Sequence, residues 1–118
     1  MPDTKELLNQ IEQQIAVLAE STVSQYKKQA IKDGKQLLAD IKVDLVRWTA
    51  LLAEGKIKVN EFEWLVNSDK ELVKMKALEN AGLAAARVSA FGMGVLSLII
   101  DTTLKAVAGD AALPAANT

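Results

Sequence analysis

The chain contains no cysteine and no histidine. The first absence excludes disulfides, thiolate nucleophiles and cysteine metal sites. The second removes the commonest general base and the commonest transition-metal ligand. Proline stands only at Pro2 and Pro114, so nothing between them forbids long helices. Aromatic residues make up 4% of the chain, which disfavours a sheet protein. No charge of one sign dominates. A net charge of −1 gives no long-range attraction toward nucleic acid, and no nucleic-acid partner is expected.

What remains is a 118-residue chain, half apolar and one quarter charged, the balance of one globular domain. Asp3, Glu6 and Glu12 interrupt the segment where a signal peptide would need its apolar run. A cytoplasmic location is the default expectation, with export without a cleaved signal as the alternative.

The spacing of large side chains predicts an all-α protein. Leu8, Ile11, Ile15, Leu18, Thr22, Tyr26, Ala30, Leu37, Ile41, Leu45, Trp48 and Leu52 recur at helical steps and form one continuous stripe. Asp3 reads as an N-cap with Glu6 as its capping-box acid. A first arm over Asp3–Ala53 follows, weakest at Asp33-Gly34, where glycine costs about 1 kcal/mol against alanine. Gly55 suits a left-handed cap. Asn60, with Glu63 three residues on, reads as the N-cap of a second arm over Glu61–Val107, with a break near Ser68. The expected architecture is a long antiparallel helical hairpin over residues 1–108, packed like a coiled coil into a larger bundle, with a flexible tail at 109–118. A turn centred near Ile57 brings Gly34 toward Asn80 and Gly82, and Arg87 toward Lys27.

Charge is distributed unevenly. Residues 81–118 carry only Arg87, Asp101, Lys105 and Asp110. On a helix, Ala81–Ile100 is smooth on one side, where Gly82, Ala86, Ala90 and Gly94 suit close helix packing. It is bulky on the other, with Leu83, Val88, Phe91, Val95, Leu98 and Ile99. A single partner helix covers only one face of such a rod. Each large side chain left wet forfeits roughly 1.5–3 kcal/mol, so a further partner is expected. The preferred reading is a non-enzymatic assembly protein that homo-oligomerises through residues 81–107. The alternative is a membrane- or lipid-associated helical protein, a membrane-inserting hairpin or a small pore former that hides this rod until it meets a bilayer. Against the alternative, only thirteen uncharged residues separate Arg87 from Asp101, while a span needs about 20. A different helical protein is a third possible partner.

Sites of chemistry are few. Gly55, Ile57, Glu61 and Phe62 resemble the second half of an EF-hand calcium loop. The preceding ligand positions, however, fall on Ala50, Leu52 and Glu54, and two of these lack a side-chain oxygen. Calcium is therefore not expected, nor is any other metal or cofactor. Asp40 and Asp44 share a helix face, but Arg47 stands three residues past Asp44 to neutralise it. Lys27, Lys28, Lys32 and Lys35 form a short basic stretch able to touch phosphate. Arg87 is expected to pair with a carboxylate or to reach solvent. Trp48 and Trp64, with Phe62, are expected to pack at the hairpin end. No nucleophile–base pair or phosphate-binding glycine loop can be named, so catalysis is not expected.

Overall fold

A computed structural model of the protein describes residues 3–69 and 74–111, apart from the side chains of Asp110 and Ala111. It is all-helical, 87% helix with no strand among the described residues. Among the described residues five α-helices follow in order: α1 (Thr4–Thr22), α2 (Lys27–Ala53), α3 (Val59–Ser68), α4 (Lys76–Asn80) and α5 (Ala85–Ala111). The molecule measures 44 × 25 × 23 Å.

Several boundaries fall where local chemistry predicts them. The Asp3 carboxylate accepts the N–H groups of Lys5 and Glu6 at 3.0 and 3.3 Å, capping α1. Gly55 takes φ 74° after α2, a conformation that costs glycine little. The helix following it begins earlier than expected. Val59 is its first residue, and Glu61 Oε1 accepts the Lys58 N–H at 2.9 Å. Asn60 is therefore inside the helix rather than its cap. The break near Ser68 is present as the end of α3. Residues 70–73, which follow it, lie outside the described residues.

The first arm is not one helix. It is interrupted at Val23, which has φ −140° and ψ 49°, and a short 3₁₀ turn over Ser24–Tyr26 leads into α2. The cause is local. Ser21-Thr22-Val23-Ser24 places hydroxyl and β-branched residues in succession, all poor helix formers. The Ser21 and Thr22 hydroxyls both donate to the Leu18 carbonyl, at 3.1 and 2.6 Å, in competition with the backbone. The chain then folds back, and Gly34 of α2 lies against Ile15 of α1.

The second arm is divided as well. A turn at Ala81-Gly82, with Gly82 at φ 92°, separates α4 from α5. Past that turn, Arg87 meets Thr22 and Gly94 meets Leu18, so α5 runs antiparallel to α1. Because α1 is antiparallel to α2 as well, α2 and α5 point the same way. Helix α2 does lie against α4, the side of the chain expected near Gly34, while Gly34 itself packs on Ile15. The neighbouring Asp33 makes the link to α4 instead. The end of α5 lies at Ala111 rather than Val107, and the tail beyond it falls outside the described residues.

One core joins all five helices. Ile11, Ile15 and Ala19 come from α1, Leu37, Ile41 and Leu45 from α2, and Phe62 and Val66 from α3. Leu78 comes from α4, and Val95, Leu96 and Ile99 from α5. Helix α1 lies in the groove between α2 and α5. Glycines on both walls let it approach: a Cβ at Gly34 would stand 2.5 Å from Ile15 Cγ2, and one at Gly94 would stand 3.1 Å from Leu18 Cδ2.

Candidate functional site

The apolar rod is covered from within. Of its bulky side, Leu83, Val88, Phe91, Val95 and Ile99 are buried in the chain's own core, and Leu98 is half-buried. The expectation that these residues need a second molecule rested on a two-arm hairpin. With α1 folded back, α1 and α2 both pack on α5 and cover its bulky side within one chain. In this conformation these side chains are not a surface.

The smooth side divides. Gly82 stands in the turn before α5, and Gly94 is half-buried beneath Leu18. Ala86 and Ala90 are exposed. Ala85, Ser89, Met93 and Ser97 are exposed beside them, with Met93 at 43% of its full area. The solvent face of α5 is therefore small and uncharged between Arg87 and Asp101.

Arg87 is exposed, and none of the ion pairs among the described residues includes it. Its Nη2 donates to the Thr22 carbonyl at 3.0 Å. That carbonyl belongs to the last turn of α1, where acceptors lack helical partners and the helix dipole is negative. Lys27 instead pairs with Glu20 at 3.2 Å. Lys28, Lys32 and Lys35 are exposed along α2.

Lys32 is joined by two lysines that the sequence reading left out. A hollow of about 490 Å³ is lined by Lys32, Asp33, Gln36, Asp40, Lys74, Lys76, Ala77 and Asn80. The Asp33 oxygens accept the N–H groups of Ala77 and Leu78 at 3.0 and 2.8 Å. Asp40 accepts from Gln36 Nε2 at 2.9 Å. Lys74 and Lys76 flank the buried Met75, and no periodicity in the sequence ties them to Lys32.

The remaining candidates resolve simply. Asp44 pairs with Arg47 at 2.9 Å. No cluster of acidic side chains able to hold a metal occurs among the described residues. Trp48 is buried, as expected for packing, but Trp64 is 69% exposed on α3 and does not close the bundle end. Two buried polar atoms lack a hydrogen-bond partner among the described residues: Thr103 Oγ1 and Asp69 Oδ2. Burial, with a smaller contribution from the Asp44 charge, raises the Asp69 pKa above its ordinary value.

No family model matches the chain, and comparison with curated proteins and with solved structures likewise finds no match. The class that the fold defines is an all-helical protein with one markedly apolar helix, α5.

Proposed function

We propose that the protein is a non-enzymatic helical assembly unit that self-associates through the uncovered face of α5. The observation that supports this is the uncharged, small-residue strip Ala86, Ser89, Ala90, Met93 and Ser97, exposed on the most apolar helix of a chain that is one quarter charged. Alanine and serine let two helix backbones approach closely, and Met93 supplies an adaptable apolar contact. The proposed interface is thus the small side of the rod rather than the bulky side favoured by sequence spacing. Light scattering on a lipid-free sample is the test. The wild type is expected to form a defined oligomer, and Ala90→Glu a monomer with unchanged helical circular dichroism. A wild type that stays monomeric up to its solubility limit would overturn the reading.

A second reading draws on the length and hydropathy of α5. Ala85–Gly109 is 25 residues long, with mean hydropathy 1.5, and passes the length and composition test for a membrane span. Insertion would require α1 and α2 to open and lay their apolar faces on the bilayer. Vesicle flotation separates the two readings. Binding that increases in Arg87→Leu favours insertion, and indifference to vesicles favours assembly in water.

A further inference from the structure

We propose that the basic hollow between α2 and the segment leading into α4 binds the phosphate group of an anionic ligand. The geometry brings together lysines far apart in sequence. Lys32 projects from α2, and Lys74 and Lys76 come from the far side of α3. Met75 between them is 1% exposed, so an apolar anchor holds the segment against the core while both neighbouring ammonium groups face out. Asp33 fixes the same segment from the other side through its two bonds to α4. The hollow is thus fastened at two points by groups that are not its cations.

Its charge balance favours an anion. Among the described lining residues three lysines face two aspartates, and both aspartates already accept hydrogen bonds from the protein. None of the described ion pairs takes Lys32, Lys74 or Lys76. The volume, about 490 Å³, accommodates a phosphate group and part of what carries it. Lysine ammonium groups suit phosphate as point charges with rotatable donors. The group could be presented by a soluble phosphorylated molecule or by an acidic lipid headgroup. The hollow lies on α2 and α4, so this inference does not depend on association through α5.

Calorimetric titration with inorganic pyrophosphate tests the soluble source. Co-sedimentation with phosphatidylcholine vesicles, with and without phosphatidic acid, tests the lipid source. Binding of pyrophosphate, or of the phosphatidic acid vesicles alone, is expected to weaken about two- to five-fold in Lys32→Gln. The combined Lys32→Gln, Lys74→Gln and Lys76→Gln variant is expected to lose it, while Lys42→Gln, elsewhere on α2, retains it. Added salt should weaken it too. Binding of neither probe, or binding that survives the triple substitution in a variant with native circular dichroism, overturns the proposal.

Discussion

The Asp33 carboxylate accepts the Leu78 backbone N–H at 2.8 Å, across 45 positions of sequence. Its other oxygen accepts the Ala77 N–H at 3.0 Å. A side chain in the middle of one helix therefore caps the first turn of another. Helix α4 has only five residues, too few to pay its own nucleation cost in water. Asp33→Ala should lower stability by about 1–3 kcal/mol by leaving two amides unpaired. Asp33→Asn should recover part of the loss, since one of the two amides keeps an oxygen acceptor. Denaturant melts measure the total, and faster amide exchange at Ala77 and Leu78 would localise it.

Gly34 is required by space rather than by backbone conformation. A methyl group there would stand 2.5 Å from Ile15 Cγ2, inside the core. Gly34→Ala should therefore destabilise by about 1–3 kcal/mol from overpacking, offset by roughly 1 kcal/mol of helix propensity. Combining it with Ile15→Ala makes room for the methyl. In that background the same substitution should become neutral or stabilising. A double-mutant cycle of chemical melts that gives additive effects would refute the close α1–α2 contact.

Thr103 is fully buried, and its hydroxyl has no partner among the described residues. Replacement by valine keeps the shape and removes the unsatisfied group. Thr103→Val is expected to raise stability by about 1 kcal/mol, read as a higher denaturant midpoint with an unchanged slope. A loss of stability would mean that the hydroxyl is satisfied.

Asp69 gives the molecule a pH dependence of definite sign. Burial, and then the Asp44 charge, raise its pKa above the ordinary 3.8. The folded state therefore holds this proton more tightly than the unfolded chain does. Its contribution to stability is full below the ordinary pKa and is lost as pH rises through the raised value. Asp69→Asn should accordingly raise the melting temperature at neutral pH and lose that advantage in acid. Thermal melts of both proteins across the acid range measure the difference. An equal effect at every pH would remove Asp69 as its source.

Much of the secondary structure was legible because its causes are local. The Asp3 cap, the glycine turn at Gly55 and the end of α3 at Ser68 each depend on residues within one turn. The break at Val23 was missed, because the apolar stripe continues through it, and the weak point expected at Asp33-Gly34 lies inside the unbroken α2. Periodicity records which side a residue faces and not whether the axis turns back. The candidate site was less legible. Lys32 was visible within a basic stretch, whereas its association with Lys74 and Lys76 depends on the path of the chain through α3.

By itself, the sequence determined that the protein is helical, that the stretch after Ala81 is its most apolar helix, and that its chemistry excludes cysteine and histidine. These follow from composition and from periods of three to four residues, which act over a single turn. The tertiary structure alone decided what covers that helix. Whether α1 extends away from α5 or returns to it depends on two turns and on the room left at Gly34 and Gly94. Burial is a property of the whole packing, so the same side chains read as a surface in an extended hairpin and as a core in the folded bundle.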